Sequence, residues 1–282
     1  MNQRVGIIGG GFVGRALAES LNKSKYKVKL SFRSNKPESL ILGVEYYYCD
    51  VQESTIKAED PLFEVDSLVI CIPPGFRQDM GDSYTAKIKS LVEKAESSNV
   101  KQVIFTSSIG IYSKDGINDE NTDLDLSVNK VRVLHSAEQT VLQSRLQYKQ
   151  VLRLGGLIGG SRHPGRFKVP ITQTNANEAV NMVMLQDVVG SIETVIEDIK
   201  NNEVSPQAIL NVVAPHHPNK QSFYRYARQK LNTLDGMPII NDYQPADETQ
   251  NNSGPIGRVV QGDQITKVFA FTYQVDSFFT AF

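Results

Sequence analysis

In Val5-Gly6-Ile7-Ile8-Gly9-Gly10-Gly11-Phe12-Val13-Gly14 a short apolar run passes through three consecutive glycines into a helix-forming segment. Four apolar-compatible residues bounded by glycine suit a strand buried on both faces, as in a parallel sheet. Downstream, Phe12, Val13, Leu17 and Leu21 recur at helical spacing, and Ala16 and Ala18 favour that helix. Gly9, Gly11 and Gly14 satisfy G-x-G-x-x-G. The pattern alone is weak, and its place between a strand and a helix gives it weight. Gly9 allows the tight turn, Gly11 lets a pyrophosphate approach the backbone, and Gly14 lets helix and strand pack closely. The first helical turn, with Phe12 and Val13, then offers free N–H donors and a partial positive charge to phosphates. The alternative is a glycine-rich turn with no ligand, which the match on both sides disfavours.

Further strands fit Val28–Phe32, Val44–Cys49, Ser67–Ile72, Gln102–Thr106 and Gln150–Leu154, with helices over residues ~82–98 and 128–146. Strands alternating with helices predict an α/β fold, a Rossmann-type doubly wound parallel sheet. Residues 1–154 are expected to form the dinucleotide-binding domain. Residues 155–282 should complete the sheet and form a small C-terminal substrate-side region, with a strand at 182–185, a helix at 188–199, a strand at 208–213, a helix at 222–231 and a short helix at 265–269. Residues 235–255 read as a polar loop.

Lysine plus arginine total 30 and aspartate plus glutamate 31 in 282 residues, a net charge of -1. That balance gives no general pull on nucleic acid or anionic lipid, so neither partner is expected. Apolar residues at 40% with 8% aromatics support a real core and exclude disorder. The cysteines, Cys49 and Cys71, read as inert core residues in a reducing compartment. No apolar run approaches the ~20 residues that span a bilayer. Met1-Asn2-Gln3-Arg4 leads straight into the first strand and leaves no room for a signal peptide. A cytoplasmic protein is expected.

After the second strand, Phe32-Arg33-Ser34-Asn35-Lys36 contains no carboxylate. An acid there would hold a ribose 2′-OH, whereas Arg33 and Ser34 suit a 2′-phosphate, so NADP is favoured over NAD. Asp50 and Val51 follow the third strand, where a carboxylate meets an adenine amino group or caps the next helix. Ile72, Pro73 and Pro74, at the end of the fourth strand, complete the candidate cofactor-binding set.

Gly9–Gly14, Asp50-Val51 and Phe105-Thr106-Ser107-Ser108-Ile109-Gly110-Ile111-Tyr112 together resemble the extended short-chain dehydrogenase/reductases, the NAD-dependent epimerase/dehydratase family. The likeness continues through Leu152–Gly159, Leu185–Val188 and Leu210–Val212. Arg162–Phe167 and Ala214–Pro218 are similar to an atypical bacterial branch labelled as nucleoside-diphosphate-sugar epimerases. The resemblance implies a serine that holds the reacting oxygen, matched by Ser108. It also implies a Tyr-x-x-x-Lys pair on the helix after the fifth strand. Here Lys130 falls where the tyrosine belongs and Leu134 where the lysine belongs, and no tyrosine stands between Tyr112 and Tyr148. Ser108, Tyr112 and Lys130 are therefore the catalytic candidates, and a lysine needs burial or a neighbouring cation to act near neutral pH. Two readings follow: an epimerase- or reductase-type enzyme with a non-standard site, and a non-catalytic NADP-binding redox sensor.

In a doubly wound sheet, the loop holding Arg162, His163 and Arg166 lies over the carboxyl ends of the strands. These residues suit an anionic small-molecule substrate. No metal site is expected, since His216 and His217 are adjacent and point apart. His135 and Glu138 read as a surface pair. Asp115, Asp119, Glu120, Asp123 and Asp125 read as a solvated loop. The family often dimerises through the helices after the fourth and fifth strands, but Lys87, Lys89, Glu93 and Lys94 crowd the first, which favours a monomer.

Overall fold

A computed structural model describes residues 3–24, 26–33, 38–51, 60–76, 81–198, 207–234 and 256–281. Strand β1 (Arg4–Ile8) runs into helix α1 (Phe12–Lys23), then β2 (Lys27–Phe32), β3 (Glu45–Tyr48) and β4 (Ser67–Ile70). Helix α2 (Gly81–Ser97) leads to β5 (Gln102–Ser108), and helix α3 (Asn129–Leu142) leads from the short β6 (Gly116–Asn118) to β7 (Tyr148–Leu154). Then follow β8 (Gly156–Ile158), β9 (Met182–Met184), α4 (Leu185–Asp198), β10 (Gln207–Val212), α5 (Lys220–Leu234), β11 (Arg258–Val260) and α6 (Gln264–Val268). The main sheet has the order β3-β2-β1-β4-β5-β7-β10, with every neighbouring pair parallel.

Alternation along the strands sorts the core into two faces. Leu68, Ile70, Val103, Phe105 and Val151 pack with Ile88, Leu91, Val131 and Leu134 of α2 and α3. Val69, Ile104, Leu152 and Leu210 point the other way, toward Leu17 and Leu21 of α1 and Val188, Ile192 and Val195 of α4. Both faces are therefore covered, as the doubly wound reading requires. A third, smaller cluster joins Ile158, Val180, Met184, Phe223, Tyr224 and Phe278.

The expected strand at 182–185 is β9, but its pairing with β8 and the whole β6–β11 pair were absent from the sequence reading. Three-residue strands are too short to show a period. The β6–β11 pair corrects the acidic loop: Gly116–Asn118 is a strand, and the half-buried Glu120 accepts a hydrogen bond from Asn211 N at 2.7 Å. The expected polar loop at 235–255 lies outside the described residues.

Glu138 is a second correction. It is 0% exposed and lies under the sheet, not paired with His135 at the surface. Leu134, Glu138 and Val141 share one helical face, so spacing placed it inside while residue type suggested outside. Arg153 of β7, 3% exposed, donates to Glu138 Oε2 from Nη2 at 2.7 Å and to Oε1 from Nε at 3.1 Å. Its Nη1 donates to the Tyr112 hydroxyl at 2.8 Å, and that hydroxyl donates to Asn211 Oδ1 at 2.9 Å. Ser107 Oγ donates to Glu138 Oε1 at 2.6 Å. This network ties together β5, α3, β7 and β10.

Removing one partner leaves a buried charge uncompensated. Glu138→Ala is expected to cost about 3–5 kcal/mol in urea unfolding. The double variant Glu138→Leu with Arg153→Met should recover much of that. A Glu138→Ala loss under about 1 kcal/mol, the range of an exposed pair, would show that the pair supports little.

Candidate functional site

The chain leaves β1 toward β2 on one side and takes up β4 on the other, so strand order reverses between β1 and β4. A doubly wound sheet binds ligands in the crevice at that reversal. Two segments meet there: Gly9–Gly14 after β1, and Cys71–Gly75 after β4, with Cys71 N donating to Ile8 O at 2.8 Å. Gly9 has φ +104°, and its N–H donates to Ser31 Oγ at 2.8 Å. A Cβ on Gly14 would come within 2.1 Å of Gly9 O, so glycine alone lets α1 start so close to the strand. At Gly11 the same Cβ would meet nothing within 4 Å.

Gly11 caps α1 without a side-chain hydrogen bond, and no acidic residue occupies the first turn. The first N–H groups of the helix therefore face open space beside Gly11 with no side-chain acceptor, which fits a diphosphate. Ile72 is half-buried, and its carbonyl is pinned by the Tyr84 hydroxyl at 3.0 Å; Pro73 is exposed beside it. Arg33 stands exposed just past β2, and the half-buried Asp50 and Val51 follow the adjacent β3, whose Tyr48 pairs with Phe32. Ser34 lies outside the described residues.

Beyond the crevice, at the C-terminal ends of β5 and β7, lies a cavity of about 520 Å³ lined by Ser108, Lys130, Asn181, Tyr224 and Arg258 among others. Ser108 ends β5, and its Oγ accepts from Gly110 N at 3.0 Å, starting the tight turn Ile109–Ile111. Lys130, on the first turn of α3, reaches back over that turn. A Cβ on Gly110 would stand 2.5 Å from Lys130 Nζ and 3.2 Å from Ser108 Oγ, so the structure brings these two candidates together. Partial burial, then the charge of Arg258, holds the Lys130 ammonium pKa below the usual lysine value.

Tyr112 is placed differently. It is 1% exposed and its hydroxyl is spent on Arg153 and Asn211, away from the residues that line the cavity. Burial raises its pKa, with Arg153 opposing.

Arg162, His163 and Arg166 do not line the cavity. His163 Nδ1 caps the tight turn Pro164–Arg166 by accepting from Gly165 N at 3.1 Å. The exposed Arg162 stacks its guanidinium 5.3 Å from the Phe12 ring and 5.9 Å from the Phe167 ring. Phe12 is the first residue of α1, so this cation stands on the phosphate side of the crevice. Burial pushes the Cys49 thiol up to about 11 and the Cys71 thiol up to about 12, which suits unreactive groups.

Sequence reasoning missed Asn181, Tyr224 and Arg258. Asn181 clamps β11, donating from Nδ2 to Arg258 O and accepting from Val260 N, both at 2.8 Å. Tyr224 is 4% exposed on α5. Arg258 donates from Nη1 to the Tyr112 carbonyl. No motif marks any of the three. They lie far apart in the chain and meet only at the folded cavity.

The sequence model of an NAD(P)H-binding family matches residues 9–198, more than half of the chain. Protein YeeZ of Escherichia coli strain K12 is 28% identical over 279 residues, covering 96% of each chain. Among solved structures, MoeE5 in complex with UDP-glucose and NAD superposes with TM-score 0.74 at 17% identity, over 99% of this chain and 95% of its own. The UDP-glucuronic acid 4-epimerase of Bacillus cereus in complex with NAD gives TM-score 0.71 at 14% identity, over 96% and 94%. At such identities the likeness is one of fold.

Gly11→Asp separates stability from binding. Aspartate is a favoured N-cap, so the variant should melt no lower than the parent. Its carboxylate would occupy the open space at the helix N-terminus and repel a diphosphate. NADPH affinity, followed by cofactor fluorescence, is expected to fall by about tenfold or more. Unchanged affinity would place the dinucleotide elsewhere.

Proposed function

The chain belongs to the NAD(P)H-binding family, and on that premise we propose that it is an NADP-dependent enzyme of the epimerase/dehydratase type, acting on a small anionic molecule in the cavity beside Ser108. The observation that carries this reading is the convergence of Ser108 Oγ and Lys130 Nζ over Gly110, at the sheet edge that also holds the glycine cradle. A bound dinucleotide would supply hydride transfer. Ser108 holds the substrate oxygen, and Lys130 delivers or takes the proton there. Its lowered pKa is the shift that a lysine acid–base needs. Arg162, stacked on Phe12, serves the cofactor's diphosphate rather than the substrate. Arg33, exposed after β2 with no acid beside it in sequence, favours the 2′-phosphate of NADP. Tyr112 positions the turn and does not exchange protons. The chain acts as a monomer, a reading supported by the absence of exposed large apolar side chains within α2 and α3 among the described residues. Two unpaired cysteines fit a cytoplasmic setting.

A second reading, a dinucleotide-binding redox sensor, is favoured by one observation. Leu134, where the family lysine belongs, is 1% exposed in the core and offers nothing to a ribose hydroxyl.

The chain has no tryptophan, so NADPH emission can be read without energy transfer from indole. NADPH is expected to bind about tenfold or more tighter than NADH, and Arg33→Ala should close that gap, as loss of a charge-assisted hydrogen bond would. Equal affinities in the parent would remove the preference for NADP.

Against a panel of carbonyl and nucleotide-sugar compounds, Ser108→Ala and Lys130→Met should each cut turnover by about 10²–10⁴-fold without weakening NADPH binding. NADPH bound tightly but oxidised by none of the panel would favour the sensor.

A further inference from the structure

Three basic side chains line the cavity: Lys130, Lys220 and Arg258. Lys220 is neutralised, with Nζ 2.5 Å from Glu178 Oε2. The other two are not. Among the described residues neither Lys130 nor Arg258 forms an ion pair, and Lys130 makes no hydrogen bond. Asp115, which also lines the cavity, favours the charged form of Arg258 by its charge but forms no ion pair with it. Arg258 spends Nη1 on the Tyr112 carbonyl, while Nε, shielded from solvent, has no partner among the described residues.

The two cations approach one short turn from opposite ends. Lys130 Nζ lies over Gly110, and Arg258 Nη1 meets the carbonyl of Tyr112, two residues on. Nothing about this placement is loose. Asn181 holds the backbone on both sides of Val259, and β6 pairs with β11 from Gly116 to Asn118. Like charges held together and partly desolvated cost free energy unless something of opposite sign sits between them. The lowered pKa of both groups has burial as its first cause.

We propose that Arg258 and Lys130 form an oxyanion subsite, which takes a carboxylate or phosphate group of the substrate next to the oxygen handled by Ser108. This moves the anion-binding role from the Arg162–Arg166 loop to a strand near the other end of the chain. It narrows the substrate to a compact carbonyl or hydroxyl compound that carries its acid group close to the reacting carbon. The proposal rests on the cavity being the substrate site, as in the preceding reading.

The test is isothermal titration of the full chain saturated with NADPH, with oxamate and inorganic phosphate as probes. Oxamate carries a carboxylate beside a carbonyl oxygen, so the probe that binds tells the two acid groups apart. At least one probe is expected to bind, with affinity about tenfold or more lower in Arg258→Gln and in Lys130→Met and NADPH affinity unchanged. Arg258→Gln also removes the bond to the Tyr112 carbonyl. If it fails to fold, Lys130→Met decides, because that side chain has no hydrogen-bond or ion-pair partner among the described residues. Binding equal in parent and variants overturns the subsite, as does a parent that holds NADPH but takes neither probe. A parent that does not hold NADPH overturns the cofactor reading instead. The same titration in the Gly11→Asp background, where the phosphate cradle is blocked, then still decides the subsite.

Discussion

The cavity end of this molecule is built on the buried contact between Arg153 and Glu138. Taking two charges out of water costs several kcal/mol per ion, and the debt is met only when geometry and additional hydrogen bonds are good. Here they are. Arg153 uses Nε and Nη2 on the carboxylate and Nη1 on Tyr112, and Glu138 also accepts from Ser107. The residues next in line are Ser108 and Leu154, where β5 and β7 end at the cavity. A buried polar network that is fully satisfied specifies one arrangement of the elements it joins. The position of Ser108 is thus inherited from a charge pair that does not line the cavity.

Tyr112 carries this order outward. Its ring and hydroxyl belong to the buried network, and its carbonyl receives the guanidinium of Arg258. One residue therefore joins the buried network through its side chain and holds a cavity-lining arginine through its backbone. The arrangement explains how a tyrosine at this turn can matter without exchanging protons. Its pKa is raised by burial, and its hydroxyl already has a donor and an acceptor.

The sequence was most legible where the physics is local. The strand–glycine–helix passage at residues 5–23 is readable because each glycine answers one steric demand, and Gly14, with Gly9 O at 2.1 Å from its would-be Cβ, shows the demand plainly. The strand and helix order was equally readable, since two buried faces impose a period on each segment. Glu138 misled because residue type outweighed spacing. The helical face shared with Leu134 and Val141 was visible, but burying a carboxylate needs a partner, and Arg153 lies on another element. Arg258 and Asn181 were invisible for a stronger reason. Their roles depend on contacts between segments 77 or more residues apart in the chain, each too short to leave a pattern.

Having an ammonium rather than a phenol at this point of the cavity decides what can bind there. A neutral tyrosine can give a proton and leave an oxyanion that repels acidic groups. A lysine that gives its proton becomes neutral, and until then it attracts them. With three cations, Lys130, Lys220 and Arg258, against two carboxylates, Asp115 and Glu178, the cavity lining keeps an excess of positive charge, and the helix N-terminus at Gly11 makes the crevice electropositive as well. Two separate attractions for negative charge then lie along one sheet edge, one aimed at a diphosphate and one at a compact acid. Anion binding between the two cations would raise the lysine pKa and favour its protonated form. A substrate bearing its acid group there would thus load the proposed proton donor as it binds, whereas a neutral compound would leave the lysine pKa lowered by burial and by Arg258. Specificity and protonation state are coupled through one pair of charges.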